Sequence, residues 1–185
     1  MSCSGGTRSG TPHGYGPLDG PYHLRWLGYF GERLKTYYIE VKELAAKEGG
    51  LEPPVMEVAD VSFDRAEQIL GRREGDAVLV HSDFWLKNIL VDPRSYRITG
   101  VIDPLDAEWA DRELDLIHLE LSWGSDMRLI ELYKQQIGLH ERFPLRYAFY
   151  QFWYAMQNFA RIGWHDREQD LKLASALREA IGRYR

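Results

Sequence analysis

The stretch that decides the fold lies near the middle of the chain, where residues 80–90 read Val-His-Ser-Asp-Phe-Trp-Leu-Lys-Asn-Ile-Leu. Three of its polar residues, His81, Asp83 and Asn88, stand between short apolar runs of the kind that form β-strands. Strands provide a rigid frame on which a polar loop is held in a fixed geometry. The stretch therefore predicts a functional loop carried by a small β patch.

The apolar runs around this loop predict three short strands. They lie at 77–80, 88–91 and 97–102, and the sequence Asp-Pro-Arg-Ser between the last two is a turn signal. The two strands that flank this turn are expected to form a hairpin. Such a hairpin brings Asn88 and Asp103 to the same end of the β patch.

Both flanks of the β patch are predicted to be helical. Apolar residues recur at helical spacing from about Tyr22, until a Gly-Gly pair at 49–50 ends that helix and the prolines at 53–54 prevent its continuation. A second helix is expected at 62–71, with Ser62 as its N-cap. Four more helices are expected near 111–122, 127–138, 143–162 and 167–183.

The chain is expected to form one domain after a short extension. Its 185 residues are enough to bury a hydrophobic core without disulfides or metals. Residues 1–20 are rich in Ser, Gly, Thr and Pro and lack apolar periodicity, which predicts a flexible N-terminal segment ahead of a domain over 21–185. The expected fold class is α+β, mostly helical.

Composition excludes several classes of function. The net charge is −5, and because nucleic-acid binding normally needs a basic excess, we expect no nucleic-acid partner. No apolar run approaches the roughly 18 residues of a membrane span, and no signal-peptide pattern is present, so we expect no membrane association. The single cysteine, Cys3, allows no disulfide within one chain. The expected location is the cytoplasm.

The polar residues of the β patch suit phosphoryl transfer. The amide oxygen of Asn88 and the carboxylate of Asp103 are hard oxygen ligands of the kind that Mg²⁺ prefers. The carboxylate of Asp83 can accept the proton of an attacking hydroxyl group. Metal ions on the phosphates and a carboxylate that orients the nucleophile are the parts that this reaction requires.

Four motifs, in order along the chain, resemble those of one known family. They are Gly14-Tyr15-Gly16-Pro17-Leu18-Asp19-Gly20 with Trp26 downstream, His81-Ser82-Asp83 with Asn88-Ile89-Leu90, Val101-Ile102-Asp103-Pro104, and Ala110-Asp111-Arg112-Glu113-Leu114-Asp115-Leu116. The series is similar to the C-terminal lobe of the protein-kinase-like fold. It is most similar to aminoglycoside phosphotransferases and their fructosamine-kinase and choline-kinase relatives, over roughly residues 14–160.

The resemblance implies a role for each polar residue of the loop. Asp83 is then the catalytic base, and Asn88 and Asp103 hold Mg²⁺ on the phosphates of ATP. His81 braces the loop rather than transferring protons. Lys87, inside the same loop, is a candidate contact for phosphate.

The resemblance also implies two structural carboxylates and shows two departures. Asp115 is expected to be a buried acceptor for the backbone of the catalytic loop, and Asp111 to cap the helix that follows it. Ser82 stands where the family usually has Gly, and Pro104 where it usually has Trp. Because Ser tolerates positive φ poorly, the loop is strained at this position if the family's Gly uses positive φ.

The acceptor implied by the resemblance is a small molecule with a hydroxyl group, such as an aminoglycoside, a sugar or an amino alcohol. Asp106 and Glu108 follow the metal-binding Asp and could attract a cationic acceptor, although a solvated acidic edge explains them equally simply. Tyr150 and Tyr154 lie off the apolar stripe of the helix at 143–162 and could line an acceptor pocket.

The family's N-terminal lobe, which supplies the nucleotide contacts, has no counterpart ahead of the first predicted helix. We therefore expect a C-terminal lobe alone, with the N-terminal lobe absent or on a separate chain, little kinase activity from this chain, and self-association through an uncovered apolar face. Two other hypotheses stay open. One is a non-catalytic, kinase-like binding or dimerisation module; the other is a metal-dependent hydrolase that uses His81, Asp83 and Asp103.

Overall fold

A computed structural model describes residues 14–48, 50–71, 76–104, 106–119 and 127–184. The predicted N-terminal segment lies outside the described residues over 1–13. Within these stretches the chain is mostly helical with a few short strands, so the predicted α+β class is confirmed. No helix in these stretches is long and apolar enough to cross a membrane.

The described residues form seven α-helices. They are α1 (Trp26–Glu48), α2 (Pro53–Asp64), α3 (Ala66–Leu70), α4 (Leu116–Leu119), α5 (Leu129–Ile137), α6 (Phe143–Ile162) and α7 (Arg167–Arg183). The core lies where α6 packs against α1 and α7, and where α2 packs against α7. On α6 the buried side chains recur at helical spacing, as Phe149, Phe152, Met156 and Phe159. Burial of this stripe holds α6 at the centre of the helical layer.

The last two helices have the predicted bounds because local signals define their ends. Gly163 adopts a φ of 66° after α6, a left-handed conformation in which Gly meets little steric penalty. The side chain of Asp166 accepts hydrogen bonds from the backbone N–H groups of Glu168 and Gln169 and caps α7.

Five short strands form two small sheets. They are β1 (Gly16–Pro17), β2 (Val78–Val80), β3 (Ile89–Val91), β4 (Ile98–Val101) and β5 (Glu108–Ala110). The predicted hairpin is present, with β3 antiparallel to β4 and Ile89 opposite Val101. β5 lies between β1 and β2 in an antiparallel three-stranded sheet. β1 and β5 were not predicted, because alternation cannot be recognised over two or three residues.

Residues 14–20 belong to the fold rather than to a flexible segment. Tyr15 is fully buried, its ring centroid lies 5.4 Å from that of Trp26, and its hydroxyl group donates to Asp76. Strand β1, which follows Tyr15 directly in the sequence, pairs with β5. Backbone pairing and one anchored ring hold this segment, and neither produces a periodic apolar pattern in the sequence.

The second predicted helix is wrong in its bounds. α2 begins at Pro53. Proline suits the first position of a helix, because the backbone N–H that it lacks would have no hydrogen-bond partner within the helix. Ser62 is not an N-cap. It is buried inside α2, where its hydroxyl group donates to the Ala59 carbonyl at 3.3 Å and accepts from Trp153 Nε1 at 3.2 Å.

The helix predicted at 111–122 starts later, at Leu116; its predicted end, 120–122, lies outside the described residues. Asp111 Oδ1 accepts from the Glu113 N–H at 3.1 Å, and the Asp111 carbonyl accepts from the Leu114 N–H at 2.9 Å. Such side-chain to backbone bonds compete with the helix. Asp111 therefore caps a turn ahead of α4.

Candidate active site

The loop between β2 and β3 is shaped by its own backbone hydrogen bonds. The Trp85 N–H donates to the Asp83 carbonyl at 2.8 Å, and the Asn88 N–H donates to the Trp85 carbonyl at 3.0 Å. A single 3₁₀ turn, Leu86–Asn88, leads into β3. This tight path turns Asp83 and Asn88 toward each other.

Asp83 and Asn88 form the central pair of the site. Asn88 Nδ2 donates to the Asp83 carbonyl at 2.9 Å and to Asp83 Oδ2 at 3.2 Å. Asn88 is only 5% exposed, so the packing around it fixes this arrangement. Because both partners can only accept, the amide nitrogen must face them, and the amide oxygen is directed elsewhere.

Asp103 lies at the same end of the hairpin as Asn88. The Ile102 N–H donates to the Asn88 carbonyl at 2.9 Å, which continues the β3–β4 pairing up to the residue before Asp103. The side chain of Asp103 is exposed, and its backbone adopts a φ of 60°. The amide oxygen of Asn88 and the carboxylate of Asp103 are hard donors that fit a divalent cation such as Mg²⁺.

His81 ties the loop to the end of β4. Its Nε2 lies 2.9 Å from the Ile102 carbonyl, and because a carbonyl only accepts, Nε2 must carry the proton. This contact joins the start of the loop to the strand that precedes Asp103. Among the described residues, no three His, Cys, Asp or Glu side chains gather as a metal-binding cluster.

The carboxylate of Asp115 anchors the loop through two hydrogen bonds to its backbone. Its Oδ2 accepts from the His81 N–H at 2.7 Å, and its Oδ1 accepts from the Ser82 N–H at 2.8 Å. Burial raises the pKa of Asp115, and the two N–H donors oppose that rise. One carboxylate thus fixes two successive peptide groups directly before Asp83.

A buried polar network supports Asp111 and Tyr150. The Tyr150 hydroxyl donates to Asp111 Oδ2 at 2.8 Å and accepts from Trp26 Nε1 at 2.8 Å. Arg146 forms ion pairs with Asp111 and Glu113, and all three charged side chains are at most 1% exposed. The hydroxyl group of Tyr150 is therefore engaged in the core.

A cleft of about 190 Å³ opens beside the loop. Residues of the loop, of α1, of α6 and of β5 line it, and it brings together five of the predicted site residues: Asp83, Asp106, Glu108, Tyr150 and Tyr154. His81, Lys87, Asn88 and Asp103 are not part of its lining. Asp83 thus both lines the cleft and contacts Asn88 at the end of the hairpin.

Glu108 lines the cleft with its charge already paired. Arg33 donates to both of its oxygens, at 2.8 Å and 3.1 Å, and the Tyr29 hydroxyl donates to Glu108 Oε2 at 2.6 Å. Burial and the hydrogen bond to Glu108 raise the pKa of Tyr29 to about 12. Glu108, which is 3% exposed, is not a solvated acidic edge.

Asp106 and Tyr154 present different chemistry to the cleft. Asp106 is exposed, so its carboxylate is open to a ligand. Tyr154 is half-buried on α6, and burial raises the pKa of its hydroxyl group. Lys87 is exposed outside the cleft, with Nζ 5.2 Å from the centroid of the Trp85 ring.

Two features of the cleft were missed by sequence analysis. Tyr29, Arg33 and Tyr37 recur every four residues and lie on one face of α1, a polar stripe that the apolar periodicity of the helix obscured. His118 lies inside an apolar run and lines the cleft while only 3% exposed. A lone His in such a run carries no distinguishing signal in the sequence.

The fold is shared with two solved structures described as fructosamine-3-kinases. The protein from Thermobifida fusca superposes with a TM-score of 0.68 at 21% identity, over 91% of this chain and 59% of that chain. The protein from Haemophilus somnus gives a TM-score of 0.62 at 17% identity, over 94% of this chain and 57% of that chain. The chain thus shares the fold of these two proteins over most of its own length.

The chain belongs to the fructosamine kinase family, whose sequence profile matches residues 15–179. The resemblance predicted from the four motifs is confirmed. A probable ketoamine kinase from Pasteurella multocida (strain Pm70) is 25% identical over 141 residues, which are 76% of this chain and 45% of that protein. The chain therefore spans about half the length of the curated relative that it matches.

Proposed function

We propose that this protein takes part in ATP-dependent phosphorylation of a hydroxyl group on a ketoamine, a sugar joined to an amine. The observation that carries the proposal is the Asp83–Asn88 pair, because Asp83 lines a cleft and Asn88 holds it at 3.2 Å. The name of the Pasteurella relative supports the ketoamine acceptor. The two descriptions of the solved structures agree with it.

In this proposal Asp83 is the catalytic base. An acceptor hydroxyl group in the cleft donates to the Asp83 carboxylate and passes its proton to it while the hydroxyl oxygen attacks the γ-phosphorus of ATP. The bond between that phosphorus and the β,γ-bridging oxygen breaks in the same step, and ADP leaves with the bonding electron pair. One hydrogen bond from Asn88 holds the carboxylate at Oδ2, and the other holds the backbone carbonyl of the same residue. Asp115 holds the backbone that precedes it. Fixed orientation is the main contribution that a protein makes to this reaction.

Asn88 and Asp103 are the residues that we propose for holding Mg²⁺. Their oxygens suit a hard cation, and the direction of the Asn88 amide leaves its oxygen available. When bound, Mg²⁺ neutralises charge on the phosphates of ATP. Lys87 remains a candidate phosphate contact, since its ammonium group is exposed next to this end of the hairpin.

We assign recognition of the acceptor's amine to Asp106. Its carboxylate is exposed in the cleft, whereas the Glu108 carboxylate is neutralised by Arg33. In this proposal the ring of Tyr154 packs against the sugar. Tyr150 also lines the cleft, while its hydroxyl group is hydrogen-bonded to Asp111 and Trp26 in the core. An amine brings a positive charge that an exposed carboxylate attracts.

We place the nucleotide-holding elements outside the described residues, in the manner of a kinase-like C-terminal lobe. The share of each relative that this chain covers is compatible with this arrangement. A cytoplasmic reaction is proposed with it, in keeping with the single cysteine. The alternative is a non-catalytic, kinase-like binding or dimerisation module, and the exposed apolar side chains of β2 and the hairpin are the observation in its favour.

The test is Asp83→Asn, which keeps the side-chain volume and removes the base. Transfer of phosphate from Mg·ATP to a synthetic fructosamine, followed by ³¹P NMR, should fall at least about 100-fold. Binding of the fructosamine, measured by calorimetry, should change less than about threefold. Ser175→Ala, on the exposed face of α7, is the matched control.

Two results would contradict the assignment. Equal turnover by wild type and Asp83→Asn would remove Asp83 from the chemistry. Fructosamine binding without phosphate transfer, in a wild-type protein that includes the nucleotide-holding elements, would establish the non-catalytic module instead.

A further inference from the structure

Among the buried side-chain polar atoms without a hydrogen-bond partner in the described residues, two belong to residues that line the cleft, while a third near Asp83, His81 Nδ1, lies outside the lining. The two atoms of lining residues are Ser82 Oγ and His118 Nδ1. Buried polar atoms are almost always paired in folded proteins, because an unpaired one loses its hydrogen bonds to water without compensation. A pair of such atoms in one cleft indicates a place where a ligand supplies the missing partner.

Ser82 also keeps an unfavourable backbone conformation. Its φ is 62°, in the left-handed region that Gly enters more readily than Ser. The hydrogen bond from its N–H to Asp115 holds it there. The position would be less strained as Gly, so the hydroxyl group is retained at an energetic cost, as is common at functional sites.

His118 offers a neutral hydrogen-bonding ring. It is 3% exposed, its ring packs edge-on against Tyr154 with centroids 4.9 Å apart, and Trp85 covers it at 5.8 Å. Burial lowers the pKa of His118 to about 4, although the nearby charge of Asp83 acts in the opposite direction. A neutral ring suits a hydroxyl group rather than an ammonium or phosphate group.

We propose that Ser82 and His118 form a subsite beside Asp83 that hydrogen-bonds a second hydroxyl group of the acceptor, next to the one that is phosphorylated. This inference rests on the proposed function. The second hydroxyl group donates to His118 Nδ1 and accepts from Ser82 Oγ. Because Ser82 directly precedes Asp83, the subsite holds the neighbouring carbon of a sugar in register with the base.

Both atoms are covered by protein, so binding includes small side-chain motions. Rotation about the Cα–Cβ bond of Ser82 carries Oγ to another staggered position, and a tilt of the His118 ring uncovers Nδ1. Side-chain rotations of this kind are fast compared with ligand binding. The subsite therefore selects an acceptor with two adjacent hydroxyl groups over one with a single hydroxyl group.

The experiment compares Ser82→Gly and Ser82→Ala with wild type. The probes are a synthetic N-substituted 1-amino-1-deoxyfructose and its single-deoxy analogues, with affinity measured by calorimetry. Both variants should bind the parent compound about 3–10-fold more weakly, the loss of one neutral hydrogen bond. Ser82→Gly should melt no lower than wild type, because Gly relieves the positive φ. Ser175→Ala should bind like wild type.

A deoxy analogue identifies the hydroxyl group concerned. Wild type should lose at least about 3–10-fold in affinity for one analogue. His118→Phe and Ser82→Ala should lose less than wild type with it, because each variant keeps only one of the two hydrogen bonds to that hydroxyl group. The ¹⁵N resonance of His118 Nδ1 should shift when the parent compound is added, and not when that analogue is added.

The outcomes separate this subsite from the proposed function. Equal affinity of Ser82→Gly and wild type for the parent compound overturns the subsite and leaves the ketoamine assignment in place. Equal losses with every deoxy analogue in wild type and variants also overturn it. Absence of fructosamine binding by wild type overturns both the acceptor class and the subsite.

Discussion

At the scale of single residues, the site depends on side chains that hold other groups in place. Asp115 accepts from two successive N–H groups, and Asn88 donates twice to Asp83. Both oxygens of Asp115 accept a hydrogen bond, and the amide nitrogen of Asn88 donates to two oxygens of Asp83, so each side chain has a fixed orientation. The Asp83 carboxylate is thus positioned before any ligand arrives.

The neutral state of His118 makes stability depend on pH. Its pKa in the folded protein is about 4, below the ordinary value near 6.5 of an unfolded chain. Between these values the unfolded state binds the extra proton, so the free energy of unfolding falls as the pH falls. Between pH 7 and pH 5 we expect this residue to cost about 2 kcal/mol of stability.

Urea unfolding of wild type and His118→Phe at several pH values measures this cost. Between pH 7 and pH 5, the free energy of unfolding of wild type should fall by about 2 kcal/mol more than that of His118→Phe. Parallel profiles for the two proteins would show that His118 is not held neutral by burial.

At the scale of elements, one arginine joins three parts of the chain. Arg146 of α6 pairs with Asp111 and Glu113 ahead of α4, and donates to the Leu70 carbonyl at the end of α3. Its guanidinium group is 1% exposed. The segment that carries Asp115, and through it the loop between β2 and β3, is therefore anchored to the helical core by charge.

Removing this arginine should be strongly destabilising. Arg146→Met fills similar space but leaves Asp111 and Glu113 buried without a counter-charge, for which we expect a loss of about 3–5 kcal/mol. Denaturant titration measures the loss. Arg178→Met, which breaks an exposed ion pair between α7 and α2, is the control and should cost less than about 1 kcal/mol. A similar small cost for both variants would contradict the anchoring role.

At the scale of the whole molecule, the β patch has an apolar outer surface. Leu79, Ile98 and Val101 are 57%, 67% and 45% exposed. They lie on β2 and on the hairpin. A surface of this kind favours contact with another apolar surface over contact with water.

The chain should therefore self-associate reversibly through this surface. Sedimentation velocity should show a weight-average mass that rises with concentration, and Ile98→Lys should shift the rise to at least about tenfold higher concentration. Ile162→Lys, at a similarly exposed position on α6, should leave it unchanged. A wild-type chain that stays monomeric throughout would contradict the prediction, as would an equal effect of both substitutions.

The sequence by itself determined the family, the hairpin, the bounds of α6 and α7 and the motif from His81 to Asn88. All of these depend on patterns that extend over a few residues or one helix, such as periodicity, capping and turn chemistry. The tertiary structure decided that β1 and β5 pair. Elements this short depend on packing partners rather than on their own propensities.

The tertiary structure also decided the lining of the cleft. Arg33 neutralises Glu108 across 75 residues of sequence, and His118 meets Tyr154 across the interface between α4 and α6. The charge or hydrogen-bonding capacity that a side chain offers to a ligand depends on whether distant residues already occupy it. That is a property of the folded arrangement in three dimensions, and local sequence patterns do not contain it.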